Sequence, residues 1–124
     1  MYTVEVSDRI SAAHCLLGYD GECARLHGHN FEIAVVLKKE SLNSFGMVAD
    51  FKEIKKRLRE ILSRFDHQNL NDIPPFDKIL PTSENIASFI YRELKSSLPQ
   101  LVEVRVSEQK GSLATYSESN CSTI

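Results

Sequence analysis

At 124 residues and 14.0 kDa the chain has the length of one domain, enough to bury a core without metal or disulfide support. Hydrophobic residues make up 42% and charged residues 26%, the balance of a water-soluble globular protein. A formal net charge of -2 and a pI near 6.1 weigh against nucleic acid or a membrane surface as the main partner.

No apolar run approaches the roughly 20 residues of a transmembrane helix, and the chain opens directly into a strand pattern rather than a secretion signal. Three cysteines, Cys15, Cys23 and Cys121, are an odd number. A reducing, cytoplasmic location is therefore expected, without a disulfide framework.

Tyr2, Val4 and Val6 alternate with polar residues, and the same parity runs through Ile10 and Ala12 to His14, which predicts a half-buried strand. A glycine-containing loop over residues 18–21 follows. Phe31, Ile33, Val35 and Leu37 predict a second strand, and His27 and His29 share their parity if no bulge intervenes. After a turn over 41–46 the period becomes helical, with Phe51, Ile54, Leu58, Ile61, Leu62 and Phe65 as one stripe. Asp50 stands at the N-cap with Glu53 three residues on, as in a capping box. A proline-rich loop over 72–81 leads to Thr82 or Ser83 as the cap of a second helix, whose stripe is Ile86, Phe89, Ile90 and Leu94. Val102, Val104 and Val106 mark a third strand, with Glu108 in phase, and Gly111 turns the chain into a last strand over 113–117.

The expected order is ββααββ, an α+β domain over residues 1–118 with a four-stranded antiparallel sheet and both helices on one face. Residues 119–124 are expected to form a flexible tail. One sheet face is left uncovered, so an oligomer that buries it is expected.

All four histidines lie in short polar stretches. His27-x-His29 on a strand places two imidazoles on one face, about 7 Å apart. A plain surface pair explains such a motif equally well, but His14 ends the neighbouring strand with the parity to complete a three-histidine face. Three histidines without a fourth protein ligand describe a catalytic zinc, whereas a closed site would add Cys23 or Cys15. Cys23, four residues before His27 and near Arg25, is either a low-pKa thiolate or an inert loop cysteine. Asp66-His67 offers a carboxylate beside an imidazole, the parts of a proton relay, unless His67 merely answers a helix dipole. Glu108 points a carboxylate along a buried row, where a ring edge with two N–H donors would satisfy it, unless it turns to solvent. Glu84 is better explained as an acidic residue favoured at a helix start.

Taken together, Ser11-Ala12-Ala13-His14, Cys23-x-x-x-His27-Gly28-His29-Asn30-Phe31, Gly46-Met47-Val48-x-Asp50-Phe51, Asp66-His67-x-Asn69-Leu70-Asn71, Pro81-Thr82-Ser83-Glu84-Asn85 and Glu108 resemble the 6-pyruvoyl-tetrahydropterin synthase family. The resemblance implies the tunnelling fold, with trimers closed around a β-barrel and stacked into a homohexamer. It implies zinc on His14, His27 and His29, a catalytic set of Cys23, Asp66 and His67, and Glu108 as anchor of the pterin ring. It also marks Thr82, Ser83 and Glu84 as substrate-binding candidates, in sites that lie between subunits. The compact Cys-x-x-x-His-Gly-His, with Leu70-Asn71-Asp72-Ile73-Pro74 after Asp66-His67, resembles the bacterial 6-carboxy-5,6,7,8-tetrahydropterin synthases of queuosine biosynthesis. The expected substrate is then 7,8-dihydroneopterin triphosphate. A pyruvoyl synthase, a folate-branch aldolase and a non-catalytic zinc-bound pterin-binding oligomer remain as alternatives. Ala24, where the aldolase branch has glutamate, counts against that branch, and Gln109 and Cys15 depart from the family pattern.

Overall fold

A computed structural model describes residues 1–118; the expected tail, 119–124 with Cys121, lies outside the described residues. Four strands form one antiparallel sheet in the order β1-β2-β3-β4: β1 Tyr2–His14, β2 His27–Lys39, β3 Leu101–Gln109 and β4 Ser112–Tyr116. Two helices, α1 Phe51–Leu62 and α2 Ser83–Lys95, separate the strand pairs, so the expected ββααββ order holds. Alternation does what parity predicts in β2, where Phe31, Ile33, Val35 and Leu37 are fully buried. Helix α1 packs against β1, and α2 against β3 and β4. Ile54, Leu58, Ile86, Ile90 and Leu94 join the inward strand residues in one core. Each such fully buried side chain contributes about 1.5–3 kcal/mol through removal from water.

Local chemistry sets the element ends. Asp50 caps α1 by accepting from the Lys52 N–H at 2.9 Å, and Thr82 caps α2 by accepting from the Asn85 N–H at 3.1 Å. Glu53 does not close the capping box; it reaches Arg57 one turn on, at 2.8 Å. Gly111, at φ 94°, supplies the left-handed residue of the turn between β3 and β4.

Three expectations need correction. Tyr2 and Phe51 share the parity of buried neighbours yet are 50% and 54% exposed, because they lie at element ends beyond the core. Val102 does not point inward: the β2–β3 register shifts between Val36 and Leu37, pairing Glu103 with Val36 but Leu101 with Leu37. This bulge turns Leu101, rather than Val102, into the core. The last strand begins at Ser112, one residue earlier than expected.

The sheet face away from the helices carries ion pairs. Arg105 bridges Glu5 and Glu103 at 2.8 and 2.7 Å, and Arg9 meets Glu32 at 3.0 Å. Among the described residues, no helix is long and apolar enough to cross a membrane.

Candidate metal centre and the residues around it

The unbroken β1–β2 register pairs His14 with His27 and Ala12 with His29. His14 and His27 are therefore direct cross-strand neighbours, and His29 lies diagonally on the same face. Ring centroids stand 4.6 Å apart for His14 and His27, 5.3 Å for His14 and His29, and 4.8 Å for His27 and His29. Phe31 floors the group, its ring 5.2 Å from that of His14.

Backbone carbonyls orient two of the rings. The Nδ1–H of His14 donates to the Pro81 carbonyl and that of His27 to the Arg25 carbonyl, each at 2.7 Å. A carbonyl only accepts, so Nδ1 carries the proton and Nε2 presents a lone pair. The His14 Nε2 is buried and has no hydrogen-bond partner. A buried polar atom without a partner is costly, and a cation relieves that cost. One nitrogen from each histidine lies within 4.8 Å of the others. These three nitrogens would hold a single metal ion after small ring rotations. Burial is the main cause that lowers the His14 pKa; the Pro81 hydrogen bond and Glu108 oppose it, and His27 and His29 add to it. The depressed value keeps the imidazole neutral and able to ligate. The donor set fits a zinc centre with an open position.

Glu108 reaches this cluster. Its carboxylate oxygens stand 3.9 Å from His14 Nε2 and 3.7 Å from His29 Nε2. It also lines a cavity of about 220 Å³ with Ser83, Glu84 and Leu113, so the strand-end and helix-start motifs converge there. Thr82 spends its hydroxyl on the α2 cap, and the Pro81 carbonyl beside it holds His14.

Cys23 lies exposed in a short 3₁₀ turn, Glu22–Ala24. Its carbonyl accepts from the Leu16 N–H at 2.7 Å, which ties the turn to the chain two residues after His14. Neither Cys23 nor Cys15 belongs to the metal-capable group among the described residues, so the closed four-ligand alternative gains no support.

Asp66 and His67 lie beyond α1, on the free edge of β1. Asp66 Oδ1 accepts from the Ser11 N–H at 3.0 Å and faces His67 Nδ1 at 3.0 Å. The His67 N–H donates to the Ser11 carbonyl, and the Ala13 N–H to the Gln68 carbonyl, so this loop zips onto the strand edge. These bonds hold His67 at φ 59°, a left-handed conformation that a non-glycine residue adopts only when its surroundings impose it. Helix α1 ends at Leu62, so a helix-dipole explanation does not fit His67. Its side chain is 80% exposed, and it shares a hollow of about 580 Å³ with Ser11, Gly28, His29 and Asn30.

Sequence reasoning missed three supports of this arrangement. Asn71 clamps the backbone of Cys15 with two hydrogen bonds, and Arg59 reaches Asp66, Asp8 and the Arg9 carbonyl. The Pro81 carbonyl, like any main-chain partner, leaves no trace in residue identity. The motif containing Asn71 was visible; its partner was not.

The family profile described as 6-pyruvoyl tetrahydropterin synthase matches residues 3–119. The chain belongs to the 6-pyruvoyl tetrahydropterin synthase family. A protein of Archaeoglobus fulgidus, provisionally named a 6-carboxy-5,6,7,8-tetrahydropterin synthase, is 36% identical over 86% of this chain and 88% of its own. The 6-carboxy-5,6,7,8-tetrahydropterin synthase of Synechocystis sp. is 35% identical over 94% of this chain and 93% of its own. The solved structure of Caenorhabditis elegans 6-pyruvoyl tetrahydropterin synthase superposes with a TM-score of 0.87 at 34% identity, covering 95% of this chain and 96% of that one. The ββααββ subunit expected for the family is the one observed, and the chain is a lyase of the tetrahydropterin synthase type.

Proposed function

We propose that this lyase acts with zinc on 7,8-dihydroneopterin triphosphate and water, releasing 6-carboxy-5,6,7,8-tetrahydropterin, acetaldehyde and triphosphate, as in queuosine biosynthesis. The observation that carries this choice within the family is the compact Cys23-x-x-x-His27-Gly28-His29 segment. The near full-length likeness to relatives named for the 6-carboxy product supports it. The likeness to the nematode protein, named for the 6-pyruvoyl product, favours triphosphate elimination alone as the second reading.

His14, His27 and His29 hold the metal, which supplies Lewis-acid polarisation of the substrate's side-chain hydroxyls when bound. The Cys23 thiolate takes a proton from the side chain as general base. His67, held at Nδ1 by Asp66, returns or relays protons. Glu108 accepts from N–H donors on the pterin ring, and Ser83 and Glu84 line the same cavity. Thr82 contributes by fixing the start of α2 beside them. The exposed His67 lacks a partner other than Asp66 among the described residues, which supports a site completed by a neighbouring copy in a homohexamer. The free thiols of Cys15 and Cys23 accord with a reducing, cytoplasmic setting.

The test is incubation of zinc-loaded protein with dihydroneopterin triphosphate, followed by mass spectrometry. Acetaldehyde with the 6-carboxy product is expected. A 6-pyruvoyl product or glycolaldehyde reassigns the branch, and no product at full zinc loading makes the protein a pterin binder.

A further inference from the structure

One arginine beside the metal centre is left uncommitted. Arg9, Arg57, Arg59, Arg64 and Arg105 each face a carboxylate, and Arg92 lies over the Tyr116 ring. Arg25 is exposed, and among the described residues its guanidinium meets no carboxylate, carbonyl or ring. Its main chain, by contrast, is fixed. The Arg25 N–H donates to the Glu22 carbonyl at 3.0 Å, and the Arg25 carbonyl accepts from the His27 ring at 2.7 Å. The side chain is anchored at its root and free at its tip.

Backbone conformation gives its direction. Arg25 is extended, with φ -88° and ψ 147°, and stands two residues before His27. Alternation along an extended chain sends its side chain to the side that carries His27 and His29. Charge is divided across that side. Glu108 lies within 4 Å of His14 and His29, with Glu84 on the same cavity, whereas Arg25 adjoins His27. Carboxylates at one end and a guanidinium at the other match a molecule with N–H donors on its ring and phosphates on its tail. Lys110, the cation nearest Glu108 in sequence, opens instead on a cavity with Asn30 and Glu32, on the sheet face away from the helices.

We propose that Arg25 binds the triphosphate of the substrate and sets a preference for the phosphorylated pterin. This rests on the triphosphate substrate read for the same site. In that substrate the phosphates hang from the carbon next to a side-chain hydroxyl. A molecule with its hydroxyls at the three histidines therefore carries its phosphates within the reach of an arginine next to them. When the carbon–oxygen bond breaks, its electron pair stays on the triphosphate oxygen while the proton goes to Cys23. A guanidinium paired with phosphate meets that growing charge.

The experiment uses the zinc-loaded full chain and reads two quantities. One is KM for 7,8-dihydroneopterin triphosphate; the other is the dissociation constant of 7,8-dihydroneopterin, which lacks phosphates, by fluorescence titration. Arg25→Ala should raise KM about tenfold or more, through loss of charge-assisted hydrogen bonds, and leave the dihydroneopterin constant within about twofold. Arg25→Lys, a point charge without the paired donors, should recover part of the loss. Added salt should raise the wild-type KM more steeply than that of Arg25→Ala. Lys110→Ala should match wild type throughout. An unchanged KM in Arg25→Ala, or equal losses for both pterins, overturns the proposal and leaves the substrate assignment standing. Only the carbonyl of Arg25 supports His27, so each variant should keep wild-type zinc content and circular dichroism. Loss of zinc or fold in Arg25→Ala would make the residue structural and overturn the proposal too. A wild-type chain that binds the triphosphate pterin no more tightly than dihydroneopterin overturns the substrate reading and the subsite together.

Discussion

Replacing Asn71 should loosen the segment to which the Cys23 turn is tied. Asn71 accepts from the Cys15 N–H at 2.9 Å through Oδ1 and donates to the Cys15 carbonyl at 3.0 Å through Nδ2. One side chain thereby plays the part of a neighbouring strand for the residue that follows His14. It can do so because Leu70, 1% exposed, anchors the short 3₁₀ turn Leu70–Asp72, and Asn69 caps that turn. Asn71→Ala removes both bonds and strands two part-buried backbone groups, for a loss of about 2–3 kcal/mol. At about 4 °C per kcal/mol for a chain of this size, the midpoint of thermal unfolding should fall by about 8–12 °C. Differential scanning calorimetry at fixed protein concentration reads this directly. Asn71→Asp keeps an acceptor for the N–H but sets a carboxylate oxygen against a carbonyl, and should destabilise at least as much. Turnover should drop through kcat, because the Cys23 carbonyl hangs from Leu16, the next residue along. A midpoint within about 2 °C of wild type for Asn71→Ala, or full stability of Asn71→Asp, refutes the two-bond account.

Cys23→Ala should abolish turnover at unchanged zinc content by atomic absorption; loss of stoichiometric zinc would place the sulfur on the metal instead. Arg59→Met removes the guanidinium 3.4 Å from Asp66 and should lower kcat about tenfold with KM held, a fraction of what a general acid or base supplies. Recovery in Arg59→Lys separates a charge effect from packing, and equal kcat in all three forms rejects it. In chelator-treated protein, the depressed His14 pKa means that the unfolded chain binds the proton more readily. Stability should therefore be full above the unfolded value of about 6.5 and decline as pH falls below it. Urea midpoints at pH 7.5 and 5.5 measure the decline, and His14→Gln should flatten it.

Most of the architecture was legible because it follows from side-chain period. Alternation placed β1 and β2, and the stripe from Ile54 to Leu62 placed α1, since burying an apolar face is a local demand on spacing. Failures came where a neighbour overrode that spacing. Val102 lost its inward place to Leu101 because the bulge opposite Val36 and Leu37 is decided by two strands together, not by either one. His67 looked like a helix-end residue, yet Ser11 fixes it in a left-handed conformation from the far end of the chain.

The same division holds at the site. Sequence alone predicted that three histidines share one sheet face, because parity along each strand is a property of the chain. It also determined the family, because ordered motifs at fixed spacing rarely coincide. Only tertiary structure decided the β1–β2 register that brings His14 opposite His27, and the carbonyls of Pro81 and Arg25 that aim the rings. It alone brought Glu108 within 4 Å of two of them. The Pro81 carbonyl and Glu108 reach their histidines from far along the chain, and the Arg25 carbonyl is a backbone atom common to every residue, so side-chain identity does not encode these contacts.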